Sequence, residues 1–224
     1  MTHPQVVALD VVETLFSLDA LSRKIREAGL PESAPRLFFA QMLRDAFALE
    51  ASGVFRPFVE VARASLEVTM ASAGVEATPE KISRVLAAFG ELDAHPDVEP
   101  ALARLASAGI RLVALTNGSA QNTARLLERS GLDRHIERTL SIDEVRHWKP
   151  NREVYLHAAR SAGAEPASVM LIAAHAWDVH GARNAGLQAA WVKRQDAVFS
   201  KAMQAPQVTG ASLAEIADRL VARA

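Results

Sequence analysis

Four short stretches of this chain carry side chains that could do chemistry together. Asp10 ends the apolar run Val6-Val7-Ala8-Leu9, and Thr14 follows it. Thr116-Asn117-Gly118-Ser119 follows a second apolar run, and His175-Ala176-Trp177-Asp178 follows a third. Lys149-Pro150 stands ahead of a helical pattern. A carboxylate with few waters around it can act as a nucleophile. A lysine beside it keeps it ionised through opposite charge. A hydroxyl, an amide and the unpaired N–H groups of a helix start suit an anion. Each residue alone has a plainer reading. Asp10 can cap a strand–loop turn, Ser119 can be an N-cap, Lys149 can be a solvated lysine, and Asp178 can cap a helix at Gly181.

The elements that carry these residues give them a common place. Val6–Leu9, Ile110–Leu115, Thr139–Ile142, Val169–Ala174 and Leu187–Val192 read as strands. Helical patterns separate them: Val98–Ala108, Ala120–Ser130 and Arg152–Ala162, closed by Gly109, Gly131 and Gly163, then a short helix from Gly181. Ser212-Leu213-Ala214-Glu215 is a capping box for a last helix. Such alternation implies a parallel sheet covered on both faces. In open sheets of this kind, ligands bind beyond the C-terminal strand ends. Asp10, Thr116–Ser119, Ala173–Asp178 and Lys149 would meet there.

Between Ser17 and Leu92 no strand pattern appears. Leu18, Leu21 and Ile25 mark one helix, Phe39, Leu43, Ala46 and Phe47 a second, and Val59, Val61, Leu66 and Met70 a third. Thr78-Pro79-Glu80 starts a fourth, with Thr as N-cap and Pro in the first turn. The chain therefore reads as an α/β Rossmann-like core of residues 1–16 and 93–224, with a helical bundle of residues 17–92 inserted after the first strand. His95-Pro96 marks the return to the core.

Composition narrows the function. Lys+Arg is 25 and Asp+Glu 26 in 224 residues, with no Cys. No basic face is implied, so no nucleic acid partner is expected. A disulfide framework, a thiolate nucleophile and Cys-ligated zinc are excluded. Met1-Thr2-His3-Pro4-Gln5 leads into the first strand without a signal-peptide pattern. No apolar stretch is long enough for a bilayer. Asn117-Gly118-Ser119 matches a glycosylation sequon and is read as coincidence. The expectation is a cytoplasmic protein with no membrane partner, acting on a small anionic molecule.

Asp10-x-x-x-Thr14-Leu15, Thr116-Asn117-Gly118, Lys149-Pro150 and Trp177-Asp178 resemble, in order and spacing, the four motifs of the haloacid dehalogenase superfamily. The branch resembled is the type II 2-haloacid dehalogenases. Thr116-Asn117-Gly118-Ser119, the Lys149-to-Tyr155 spacing and His175-Ala176-Trp177-Asp178 carry that likeness. The resemblance implies an α/β core with an α-helical cap after the first strand. It also implies a metal-independent hydrolysis in which Asp10 displaces halide to form an ester that water then cleaves. Asp10, Thr14, Lys149 and Asp178 would be catalytic. Val12, Thr116, Asn117, Gly118, Tyr155, His175, Trp177, Gln41 and Arg44 would be on the substrate side. No cofactor is expected, and a homodimer is admitted because dimers are common in that family.

Single positions depart from the family or divide its branches. Phosphatases of the superfamily have a second Asp where Val12 stands and an acidic residue where Ala174 stands. Their Mg²⁺ wants several oxygen ligands. Dehalogenases have Tyr for Val12, Gly for Glu13, Ser for Ala173 and Asn for His175. Their halide-holding Arg aligns with Phe39, while Arg44 and Gln41 lie nearby. Arg44 is read first as a solvated arginine, and Trp177 equally as pocket wall or core. A buried Glu13 needs a partner. His175 and His180, five apart, are poorly spaced for a metal. Two other readings stay open: a Mg²⁺-dependent small-molecule phosphatase, and a non-catalytic protein that binds a small anion.

Overall fold

The computed structural model describes residues 3–222, so Met1 and Thr2 of the lead-in, with Arg223 and Ala224, lie outside the described residues. The chain forms two compact units, one running through Phe16 and resuming at Ala94, the other spanning Ser17–Asp93.

Strand β1 is Val6–Leu9, and every residue in it is fully buried. A strand buried on both faces reads as a continuous apolar run, as this one does. Four helices follow it: α1 (Asp19–Glu27), α2 (Ala34–Ala51), α3 (Phe58–Ser72) and α4 (Pro79–Ala87). Thr78 caps α4 by accepting from the Lys81 N–H at 3.4 Å, with Pro79 in the first turn. Phe89, after α4, packs edge-on against Phe58 with ring centres 5.0 Å apart, and at 6.5 Å from Phe38.

The stripe expected on α2 is displaced by one residue. Ala34, Phe38, Met42 and Ala46 are buried, while Phe39, Leu43 and Phe47 are only partly so. On α3, Val59 is exposed, and Val61, Leu66 and Met70 carry the core face. Both helices have apolar residues on more than one face, so periodicity alone leaves the buried face ambiguous.

After residue 93 come α5 (Val98–Ser107), β2 (Arg111–Thr116), α6 (Ala120–Arg129), β3 (Arg138–Ser141) and α7 (Arg152–Ser161). Then follow β4 (Val169–Ala173), α8 (Ala176–Asn184), β5 (Gln188–Val192), β6 (Val208–Gly210) and α9 (Leu213–Val221). The six strands form one sheet in the order β3-β2-β1-β4-β5-β6, every pair parallel. Gly109, Gly131 and Gly163 end α5, α6 and α7 at φ +60 to +78°, a conformation that costs glycine little.

Three details differ from the sequence reading. β6, three residues at the sheet edge, was not foreseen, because so short a run has no periodicity. Helix α8 begins at Ala176, not Gly181, so Trp177 and Asp178 lie in its first turn. Ser212 does accept from Glu215 N at 3.1 Å, but Glu215 returns its bond to Ala211 N, one residue before the cap. No helix among the described residues is long and apolar enough to cross a membrane.

Candidate active site

β1 pairs with β2 on one side and β4 on the other, so the strand order reverses there. Crevices in open α/β sheets form beside such a reversal, at the C-terminal ends. Asp10 is the next residue of that central strand, and its N–H still donates to Ile172 O at 3.0 Å, extending the ladder past Leu9. This backbone anchor leaves the carboxylate at the strand tip, 6% exposed.

A chain of charges runs inward from it. Lys149 Nζ donates to Asp10 Oδ1 and to Asp178 Oδ2, both at 2.9 Å. Tyr155 donates its hydroxyl to Asp178 Oδ1 at 2.6 Å. Lys149, Asp178 and Tyr155 are wholly buried. On the other side, Thr14 donates Oγ1–H to Asp10 Oδ2 at 2.6 Å and accepts from Ala174 N at 2.9 Å. Both Asp10 oxygens are thus held, by a cation and by a hydroxyl. Burial opposes the charge on Lys149, but Asp10 and Asp178 outweigh it and raise its pKa. Burial, with Asp10 adding to it against the pull of Lys149, raises that of Asp178. Burial, then Asp178, pushes Tyr155 well above 10.0, so it remains a hydroxyl donor.

An outer pair lies beside this chain. Glu13 has φ +65°, a left-handed conformation, and is nearly buried. A non-glycine residue there carries roughly 1–2 kcal/mol of strain. His175 Nε2 lies 3.1 Å from Glu13 Oε2, close enough for an ion pair although the N–H points off the line to that oxygen. The His175 ring stacks on Trp177 with centres 5.2 Å apart and planes 14° from parallel. Burial works against a charged His175, but Glu13, then Asp10 and Asp178, raise its pKa above 6.5.

The structure brings Asp10, Thr14, Lys149, Asp178, Tyr155, Glu13, His175 and Trp177 into this network. It also shows what several of the residues expected on the substrate side bind within the protein. Tyr155 does not face outward; its buried hydroxyl holds Asp178. Thr116 accepts from Gly118 N at 2.9 Å and shapes the turn after β2. Asn117 directs Oδ1 at Lys149 N, 3.3 Å away, tying that turn to the lysine loop. Ser119 follows its plainer reading, capping α6 through Asn122 N at 3.2 Å. Val12 is partly exposed beside Asp10 and bridges Phe16. His180 bonds Asn184 and Gln204 rather than joining His175. Arg44 and Gln41 belong to the helical unit, and Arg44 is exposed and paired with Asp45 at 2.8 Å.

The donor set does not favour a hard cation. The ammonium of Lys149 stands between the two carboxylates, and Val12 and Ala174 offer no side-chain oxygen. Among the described residues no group of three His, Asp or Glu is placed to hold a metal.

Residues 5–186 match the family model of the haloacid dehalogenase-like hydrolases. The chain belongs to that family. Among its curated relatives, the (S)-2-haloacid dehalogenase of Pseudomonas fluorescens is 25% identical over 223 residues, covering 99% of this chain and 98% of that one. The haloacetate dehalogenase H-2 of Moraxella sp. (strain B) is 26% identical over 213 residues, covering 93% and 94%. The solved L-2-haloacid dehalogenase of Xanthobacter autotrophicus with chloropropionic acid covalently bound superposes with TM-score 0.89 over 98% of both chains, at 22% identity. The fold, a parallel sheet with helices α1–α4 inserted after β1, is that of the L-2-haloacid dehalogenases.

Four supports of this hydrolase site escaped the sequence reading. Arg194 donates to Thr14 O from Nε at 3.3 Å and from Nη2 at 3.1 Å, while two of its nitrogens bind Asp97 at 2.9 and 3.1 Å. Asp97 also accepts from Leu213 N at 2.7 Å. Trp191 Nε1 donates to Ala174 O at 2.7 Å, and Ser141 Oγ to Gly118 O at 2.7 Å. Asp97, Arg194 and Trp191 carried no usable spacing. Ser141 did carry one, because Ser141 and Glu144 form a capping box.

Proposed function

We propose that this protein hydrolyses a small 2-haloacid to the 2-hydroxyacid through an ester on Asp10, without a metal. The observation that carries the reading is Asp10 itself. Its carboxylate is fixed by Lys149 and Thr14 at the sheet reversal, with Val12 and Ala174 where the phosphatases of the superfamily carry acids. A departing halide needs no proton, so the missing general acid costs nothing in this chemistry. A phosphate ester would need both the acid and the cation.

In the first step an Asp10 oxygen attacks the carbon bearing halogen. The new C–O bond forms as the C–X pair leaves with halide. Lys149 and Thr14 hold the carboxylate in line, and such positioning is a large part of the barrier reduction available. In the second step water attacks the ester carbonyl carbon of Asp10, and the bond from that carbon to the substrate oxygen breaks. The 2-hydroxyacid leaves with one water proton, and Asp10 is regenerated as a carboxylate carrying the water oxygen, with the second proton released. Asp178 holds Lys149, and orienting that water is the second duty proposed for it. The Asn117 amide donors and the N–H groups opening α6 are the groups for the substrate carboxylate. His175, on the rigid rim, is the group assigned to the leaving halide, where one well-placed donor is worth roughly 3–4 kcal/mol.

Halide release from 2-chloropropionate should persist in excess chelator, and a single turnover in ¹⁸O-water should leave label on Asp10. Asp10→Asn should abolish turnover while leaving the fold intact. Turnover lost to chelator and restored by Mg²⁺ would favour the phosphatase. Label appearing first in product would mean that water attacks the substrate directly. No haloacid turnover at all would leave the anion-binding reading.

A further inference from the structure

Glu13 and His175 are two of the four core positions that depart from the dehalogenase pattern, and these two meet each other. Their loops are joined in three places. Asp10 N donates to Ile172 O, Ala174 N donates to Thr14 Oγ1, and next outward comes the Glu13–His175 contact at 3.1 Å. A loop lock alone does not account for the pair, because the first two links already join the loops. Glycine would suit φ +65° without strain, yet a nearly buried carboxylate stands there. A strained residue at a site is a reason to look for function.

Charge supplies that reason. The groups facing His175 are Glu13 and Asp10 from the loop after β1 and Asp178 from α8, with Lys149 bound to the last two. With His175 neutral, the Glu13 carboxyl has no cation opposite it, and an incoming anion meets no positive charge at that place. With His175 protonated, the Glu13 charge is balanced locally, and a cation lies on the rim beside Trp177.

We propose that Glu13 is a positioning residue that holds His175 as an imidazolium, giving the rim a second cation for a small anion such as the departing halide. This rests on the dehalogenase reading for the identity of the anion, but not for the pair itself. The sign follows from histidine being cationic when protonated. The anion site is present at low pH and is lost as pH rises through the His175 value. Without Glu13 it is lost at lower pH.

The test uses the full-length protein with no haloacid present. The His175 imidazole is titrated by ¹⁵N NMR, its signal assigned with His175→Asn. Chloride binding is followed by ³⁵Cl line broadening across the same pH range. In the wild type, chloride binding should fall at least tenfold as His175 loses its proton. Glu13→Gln, which keeps the shape and a hydrogen-bonding end, should move both midpoints down together by about one pH unit. Glu13→Gly, whose backbone suits this φ, should do the same and guards against a folding failure. A neutral His175 at pH 7 in the wild type would overturn the proposal. So would a titration unmoved in both variants, or chloride binding indifferent to it. Failure of haloacid turnover with both midpoints moved as described would sink the dehalogenase reading and leave this one standing.

Discussion

The sheet rim and the helical insertion treat charge in opposite ways. At the rim, Asp10, Lys149 and Asp178 come from segments far apart in the chain and pair with almost no water around them. In the insertion, Lys24 pairs with Glu27, Arg44 with Asp45 and Arg56 with Glu60, all near neighbours in sequence with at least one exposed side chain in each pair. Exposed pairs contribute about 0–1 kcal/mol. A buried ion pair is different, because removing one partner strands the other in a medium that cannot solvate it. The difference teaches where substitution hurts. The rim holds charges that only a folded sheet can assemble, and the insertion holds charges that solvent already satisfies.

Lys149→Met sharpens the contrast most. It leaves two buried carboxylates without their cation, so stability should drop by about 3–5 kcal/mol. Urea unfolding at pH 7 measures this, and part of the loss should return at low pH, where the carboxylates can protonate. A loss under 1 kcal/mol would mean that water reaches the rim and that the contrast is false.

Gly181→Ala probes the same network from below. A Cβ at Gly181 would lie 2.5 Å from the Tyr155 hydroxyl and 2.6 Å from Pro150 Cβ. The methyl displaces the hydroxyl that holds Asp178, so about 1–3 kcal/mol of overpacking is expected. Turnover should fall as well, because Lys149 then loses its fixed partner. Unchanged stability together with unchanged rate would show that the Tyr155 bond is dispensable.

Much of this rim was legible in the sequence, and the reasons are physical. Asp10, Thr116–Ser119 and His175–Asp178 each follow an apolar run buried on both faces, and such runs announce both the strand and its end. Lys149 had no strand to mark it and came from motif order. The α2 face was misplaced because apolar residues surround that helix. Arg194, remote in sequence and held by Asp97, acts on the backbone of the Asp10 loop, and no periodicity marks such a clamp. That α8 starts at Ala176 was hidden because His175 offers no side-chain cap.

That clamp gives a smaller, pH-dependent effect. Burial opposes the Asp97 charge, but Arg194 and the Leu213 N–H outweigh it and hold the carboxyl below 3.8. A lowered carboxyl stabilises the fold above its unfolded value, and that contribution is lost as pH falls through the folded value. Asp97→Asn should cost about 1 kcal/mol at pH 7, the figure being kept low because the group is partly exposed and screened. Its deficit against the wild type should shrink below about pH 4. A deficit constant with pH would assign the effect to packing.

Arg44→Ala is the smallest change expected. The side chain is exposed and binds its own neighbour Asp45 through Nε at 2.9 Å and Nη2 at 2.8 Å. Surface substitutions of this kind stay within about 0.5 kcal/mol. Asp45 keeps a second partner, because Ser65 donates to its other oxygen at 3.2 Å. Halide release should likewise be near wild type, since the halide is assigned to His175, and His175→Ala should slow ester formation by orders of magnitude. The pair of substitutions is therefore the sharpest test of the contrast between the regions. If Arg44→Ala slows ester formation and His175→Ala does not, the insertion supplies the cation for the halide. The rim would then hold only the nucleophile and its lysine, and the division between a chemical sheet and a solvated insertion would fail.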